Sequence, residues 1–152
     1  MEEISKNISY KAATKSDTAA RRGIKNDPNE QELLNMKLLA ENVFEPLRLH
    51  VNGPIIINSF FRSAELNKAI GGSSTSQHCK GEAMDIDDTL GNMSNADMFK
   101  YIKENLDFDQ MIWEYGDDKN PDWVHVSYKK NGNRKQILRC SKINGKTVYS
   151  HY

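Results

Sequence analysis

The apolar residues of this chain form one long helical pattern and then a series of short strand-like runs. Asp27-Pro28 is typical of a helix cap and first-turn proline, and six apolar residues follow it at helical spacing: Leu33, Leu34, Leu38, Val43, Phe44 and Leu47. Bounded apolar runs predict strands over Pro54–Ser59, Ala83–Asp87, Gln110–Glu114, Trp123–Lys129 and Lys135–Arg139. This order of elements predicts an α+β fold with helices packed on a largely antiparallel sheet.

Caps and turn residues predict how these elements are joined. Ser63 begins a short helix that runs to Ile70, and Ser94 begins another that runs to Asn105. Asn131-Gly132 predicts a hairpin that joins the last two strands, because this dipeptide is a strong hairpin signal. Asn144-Gly145 predicts a second hairpin in the tail.

Length and charge limit the classes of function. A chain of 152 residues predicts one domain over 1–152, in which 1–26 is a polar segment that wraps the surface. Twenty-one basic and twenty-one acidic side chains cancel, so no overall field attracts nucleic acid or anionic lipid. Residues 1–20 have neither the apolar core of a secretory signal nor a membrane span, so we expect synthesis in the cytoplasm. We also expect a monomer whose two cysteines, Cys79 and Cys140, stay reduced.

Two short segments hold the residues that indicate chemistry. His78 and Asp85 flank Gly81, where the chain can turn sharply, and Asp122 precedes His125 by three positions (125 − 122). Two imidazoles and one carboxylate are a common catalytic zinc set that leaves the fourth position open to water. We therefore predict one Zn²⁺ held by His78, Asp85 and His125, with Asp122 as the general base that accepts the proton of the attacking water.

The same segments resemble a known family: the zinc D-alanyl-D-alanine carboxypeptidases, D-Ala-D-Ala dipeptidases and L-alanyl-D-glutamate endopeptidases, which share the hedgehog fold. The first half of the family pattern, S-x-H-x-x-G-x-A-x-D, stands at Ser76 to Asp85, and the second half, D/E-x-x-H, stands at Asp122 to His125. The resemblance covers 52–128 and implies a peptidase that cuts peptidoglycan peptides. It also implies that Arg62 contacts the substrate carbonyl or oxyanion and that Ser76 contacts the substrate or orients its loop.

Several alternatives remain open in the sequence. The enzyme is either an endolysin-like endopeptidase that reaches the cell wall through holin-type release or lysis, or a D,D-carboxypeptidase or dipeptidase that acts on wall precursors. A non-catalytic zinc module is a further possibility, and a magnesium nuclease would instead use clustered acids: Asp85, Asp87, Asp88, Asp107 and Asp109. Glu114 is either an acceptor for a ligand imidazole or a solvated strand end. Cys79 is rejected as a fourth ligand because four protein ligands would close the site.

Overall fold

The computed structural model describes residues 3–152, in which helices pack on one sheet of mixed strand direction. The helices are α1 Tyr10–Thr14, α2 Asp17–Arg22, α3 Glu30–Leu39, α4 Glu45–Val51, α5 Ala64–Ala69 and α6 Asn95–Asn105. The strands are β1 Ile56–Ser59, β2 Ala83–Asp87, β3 Gln110–Glu114, β4 Trp123–Ser127, β5 Gln136–Ile143 and β6 Lys146–His151. A π-helical turn, Ala40–Phe44, joins α3 to α4, and a 3-10 turn, Gln77–Lys80, precedes β2. None of the helices within 3–152 has the length and hydropathy that a membrane span requires.

The sheet confirms the predicted fold class. Its strand order is β1-β2-β4-β3-β5-β6, and every neighbouring pair is antiparallel except β3 and β5. The hairpin at Asn144-Gly145 is confirmed, since both residues have positive φ and join the antiparallel strands β5 and β6. The helix caps at Ser63 and Ser94 are confirmed as well, because each hydroxyl accepts from the backbone N–H three residues later.

The predicted hairpin at Asn131-Gly132 is wrong, because β4 and β5 do not pair. Strand β4 lies between β2 and β3, so both of its hydrogen-bonding edges are already occupied. The connection instead passes β3, where the backbone N–H groups of Lys135 and Gln136 donate to the carbonyls of Phe108 and Asp109. Strand β5 therefore joins the far edge of β3 in the parallel direction.

The long helix starts later than predicted, and its first part buries a different face. Its cap is Asn29 and not Asp27, and Asn29 forms a reciprocal capping box with Glu32. The buried residues of the first part are Met36, Leu39 and Ala40, whereas the predicted core residue Leu34 is 56% exposed. Val43, Phe44 and Leu47, which lie in and after the π-helical turn, are buried as predicted. The error therefore lies in the first part, because an extra residue in one turn changes the helical phase between the residues on either side of it.

The amino-terminal segment was predicted to wrap the surface, but several of its side chains are buried in the core. Ile4, Ile8 and Ala13 are buried in the main hydrophobic cluster. The carbonyl of Ala13 accepts a hydrogen bond from the N–H of Phe61, and the side chain of Asn26 bonds to backbone atoms of Thr14, Phe61 and Ser63. Met1 and Glu2, which the prediction included, lie outside the described residues. Cys79 and Cys140 are both free thiols, as expected.

Candidate metal centre

A row of side chains crosses four strands on one face of the sheet. Asp85 on β2 is paired with His125 on β4, His125 with Ile112 on β3, and Ile112 with Leu138 on β5. Directly opposite residues of paired strands project from the same face of a sheet, which places the carboxylate of Asp85 beside the imidazole of His125. The Asp85 Oδ1 and His125 Nδ1 atoms are 2.9 Å apart.

The 3-10 turn brings His78 to the same place. Its imidazole is buried, and Nδ1 donates to the carbonyl of Phe60 at 2.7 Å, so that Nε2 is directed to Asp85 Oδ2 at 3.3 Å. Ser76 caps this turn by accepting from the backbone N–H of His78. Gly81 ends the turn with a φ of +73°, a conformation that favours glycine. The turn and the carbonyl of Phe60 therefore fix both the position and the tautomer of His78.

The three side chains form a group that could hold a metal ion. Within 3–152, the group of His78, Asp85 and His125 offers three ligand atoms that all lie within 4.8 Å of one another. Ligands bound tetrahedrally to one zinc ion are separated by about 3.4 Å, so the described separations suit a shared ion. Burial alone would raise the pKa of Asp85, but the electrostatic influence of His78 and His125 and their hydrogen bonds hold this pKa well below its usual range.

Glu114 is the additional acidic residue in the cleft that contains this group. It ends strand β3 on the same face as Ile112, only 7% of it is exposed, and it lines the cleft together with the three candidate ligands. Burial raises the pKa of Glu114 to about 7, while His125 acts to lower it and Asp85 to raise it. A carboxyl group with a pKa raised toward neutral suits a general base.

The structure does not bring Asp122 to this group, which corrects the predicted position of the base. Asp122 is exposed and lines a separate pocket with Asp87, Asp88 and Asn95. The reason is the period of two in a strand: residues three apart, such as Asp122 and His125, project to opposite faces. The sequence also contained the signal for Glu114, since the strand 110–114 places positions 110, 112 and 114 on one face.

Arg62 and Ser76, to which the resemblance assigns substrate contacts, both line the cleft. The Nη2 group of Arg62 donates to Ser76 Oγ at 3.3 Å, and its Nε is buried without a hydrogen-bond partner among the described residues. Ser76 Oγ therefore accepts from both the guanidinium and the N–H of His78. This arrangement holds the guanidinium next to the turn that carries His78.

The acids of the alternative nuclease site are dispersed. Asp109 is fully buried and paired with Arg134, while Asp87 and Asp88 lie in the separate pocket together with Asp122. Asp85 groups with the two histidines instead. Among residues 3–152, no three of these carboxylates lie close enough together to share one ion.

The cleft has a volume of about 820 Å³, and part of its wall was not predicted from the sequence. The unpredicted wall residues come from the end of the chain: Lys129, Arg134, Leu138 and Tyr149. Lys129 follows the end of β4, whereas Arg134, Leu138 and Tyr149 reach the cleft because β5 lies beside β3. The local turn signal at 131–132 contradicted this long-range pairing.

The comparisons with known proteins agree with this geometry. A comparison with curated proteins found no matching relative. The family model of Peptidase M15 matches residues 6–127, which include all three candidate metal ligands as well as Arg62, Ser76 and Glu114. This match covers most of the chain and, together with the group of two histidines and one aspartate, shows that the chain belongs to the Peptidase M15 family of metallopeptidases.

Proposed function

We propose that this chain is a zinc peptidase that hydrolyses the peptides of bacterial peptidoglycan, with the ion held by His78, Asp85 and His125. The observation that carries the proposal is the meeting of these three side chains in a large cleft that also contains the buried acid Glu114. Donor atoms of two imidazoles and one carboxylate suit zinc and leave a position for water. A zinc ion bound there would supply a Lewis acid for the scissile carbonyl and lower the pKa of water.

Glu114 is the residue that moves the proton in this proposal. A base must be unprotonated to accept a proton and must then hold it long enough to pass it to the leaving amine. A carboxyl group with a pKa of about 7 does both near neutral pH, whereas an ordinary exposed glutamate is too weak a base. Glu114 lies on the cleft face two residues along β3 from Ile112, which is paired with His125, and this position supports the assignment.

Arg62 and Ser76 bind the substrate in this proposal. Arg62 lines the cleft, and its guanidinium lies beside the turn that carries His78, where N–H groups not bonded to Ser76 can donate to a substrate oxygen. Ser76 holds the guanidinium through Oγ, which leaves the hydroxyl proton available for a substrate acceptor. We therefore propose that Arg62 binds the carbonyl oxygen of the scissile bond as negative charge develops on it.

A metal analysis combined with a digest of purified sacculi tests the proposed function. We expect about one zinc ion per chain and new peptide termini that mass spectrometry identifies after the digest. Termini inside the stem or cross-link support the endolysin-like endopeptidase, while release of D-alanine alone would favour the D,D-carboxypeptidase. Bound zinc without hydrolysis of sacculi or precursors would favour a binding module and would refute the proposal.

A further inference from the structure

We propose that Arg134 and Lys129 form a carboxylate-binding subsite at one end of the cleft, so that the enzyme prefers peptides with a free carboxylate near the cleaved bond. This inference rests on the proposed peptidase function and adds the chemical class of its substrate. The stem peptides of peptidoglycan suit such a subsite, because their side-chain and terminal carboxylates are either free or amidated. The subsite would distinguish these two forms.

The two ends of the cleft differ in chemistry. Strand β3 crosses the cleft from Gln110 to Glu114, and its middle residue, Ile112, lies in the row with His125 and Asp85. The Glu114 end is walled by aromatic side chains, namely Tyr115, Trp123 and Tyr149. At the other end, the backbone N–H of Arg134 bonds to Asp109, the residue before Gln110, and Lys129 follows the end of β4. The cationic side chains of Arg134 and Lys129 therefore lie at the Gln110 end.

A buried carboxylate holds Arg134 in place. The side chain of Asp109 is fully buried and accepts from Arg134 Nε at 3.0 Å and from Nη2 at 2.8 Å. It also accepts from the amide of Gln77, the residue before His78. The opposite edge of the guanidinium remains free: the side chain of Arg134 is 51% exposed, and Nη1 has no hydrogen-bond partner among residues 3–152. A fixed guanidinium with free N–H groups is well suited to bind a carboxylate.

The charges of the cleft also favour an anionic peptide. Lys129 lines the cleft and forms no ion pair with any residue in 3–152. Four cationic side chains line the cleft, namely Arg62, Lys80, Lys129 and Arg134. The acidic side chains that line it are Asp85 and Glu114. Asp109, buried behind Arg134, balances one of these cations, so one positive charge remains in excess and favours an anionic peptide.

The position of the subsite limits which carboxylate it would read. Gln110 is two residues along β3 from Ile112, which corresponds to about 7 Å of extended chain. A carboxylate bound at this end would therefore lie about two residues from the cleaved bond of an extended peptide. Lys129 and Arg134 both lie beyond residue 127, where the match to the family model ends.

Matched peptides test the subsite. The probes are a synthetic wall stem peptide and analogues in which one free carboxylate at a time is replaced by a carboxamide. For one of these carboxylates, we expect the zinc-loaded full chain to cleave the acid at least about tenfold faster in kcat/KM than the amide, because a charge-assisted hydrogen bond is lost. R134Q and K129Q should each bring the ratio of the two rates closer to one by slowing cleavage of the acid.

The ratio separates a lost subsite from a lost fold, since partial unfolding slows both peptides equally. K100Q, which removes an exposed cation on α6 that does not line the cleft, is the matched control and should keep the wild-type ratio. If R134Q does not fold, K129Q still decides, because the Lys129 ammonium has no ion-pair partner to lose. A ratio near one in the wild type, or an unchanged ratio in K129Q and any folded R134Q, would overturn the subsite while the peptidase stands. If no peptide is cleaved, the peptidase proposal fails, and calorimetric binding of acid against amide still tests the subsite.

Discussion

Glu114 and Asp122 are close in the backbone but serve different surfaces of the sheet. The N–H of Asp122 donates to the carbonyl of Glu114 at 2.8 Å, yet the side chain of Glu114 is buried in the cleft and that of Asp122 is exposed elsewhere. Burial raises the pKa of the Glu114 carboxyl group to about 7. The proposed role of Glu114 as the base therefore depends on the face of the sheet that its side chain occupies.

Replacement of each acid by its amide separates these two residues. We expect E114Q to lower kcat on wall peptides by about two orders of magnitude or more, because the amide cannot accept a proton. D122N should keep activity close to the wild type. Zinc content, measured on both proteins, should be unchanged and serves as the control for the metal site. Loss of activity in D122N with full activity in E114Q would reverse the assignment.

Part of the site could be predicted at the residue level and part could not. The spacing of His78, Asp85 and His125 indicated a shared ion, and the structure brings these three side chains together. The motif also led to Asp122, because a pattern of letters does not state which face of a strand each residue occupies. For Glu114 the sequence left two roles equally open, an acceptor for a ligand imidazole and a solvated strand end. It could not decide between them because the burial of Glu114 depends on neighbouring strands that are distant in sequence.

At the scale of elements, the 3-10 turn is held against helix α3 by close contact. A Cβ at Gly81 would lie 2.5 Å from the backbone oxygen of Glu32 and 2.8 Å from Met36 Cγ, so a side chain there must displace the turn or the helix. Because His78 lies in this turn and Asp85 follows it, the packing of α3 determines where two of the three candidate ligands lie.

The substitution G81A should therefore weaken both the fold and metal binding. We expect a loss of about 2–4 kcal/mol in the free energy of unfolding, from positive-φ strain and overpacking together, and a lower zinc affinity. G132A is the matched control, since Gly132 also has a positive φ of +77° but nothing lies within 4 Å of its added Cβ. G132A should cost only about 1–2 kcal/mol and leave zinc affinity unchanged. Denaturant unfolding and a competitive zinc titration measure the two effects, and equal losses of affinity would contradict the contact argument.

Most elements followed from local signals, and the failures have a common cause. Caps at Ser63 and Ser94 and the turn at Asn144-Gly145 act within a few residues, so the sequence predicts them directly. The pairing of β5 with β3 depends instead on which sheet edge is free once β2, β3 and β4 have joined. The buried face of α3 depends in the same way on the π-helical turn, for which no local pattern was recognised.

At the scale of the whole molecule, Asp109 joins segments that are distant in sequence. Burial alone would raise the pKa of Asp109, but the hydrogen bonds from Arg134 and Gln77 and the charge of Arg134 lower it below its ordinary value. A carboxylate whose pKa is lower in the folded than in the unfolded chain stabilises the fold above its unfolded pKa of about 4. This stabilisation is lost as the pH falls through the folded pKa.

We therefore expect the free energy of unfolding of the wild type to decrease as the pH is lowered below about 4. Part of this pH dependence should disappear in D109N. At pH 7, D109N should be less stable by about 1–3 kcal/mol, because its amide cannot accept all the bonds that Arg134 donates. Urea unfolding across this pH range measures both effects. An unchanged pH dependence in D109N would show that other carboxyl groups are responsible.

Removal of the metal should destabilise the molecule without unfolding it. The main hydrophobic cluster contains none of the candidate ligands, so the core does not require the ion. We expect chelation to abolish hydrolysis and to lower stability by about 3 kcal/mol when zinc had been present at a hundred times its Kd, with recovery on adding zinc. The variant D85N should show no such shift in thermal unfolding. Complete unfolding by the chelator would contradict this prediction.

The parallel pairing of β5 with β3 has a consequence for engineering. None of the candidate ligands, nor Glu114 or Arg62, comes from the stretch after residue 127, although that stretch forms one wall of the cleft. Reaction chemistry and one side of the cleft are thus encoded in separate, consecutive portions of the gene. Shuffling the final portion among related enzymes would therefore vary that wall of the cleft while every reactive group is inherited unchanged.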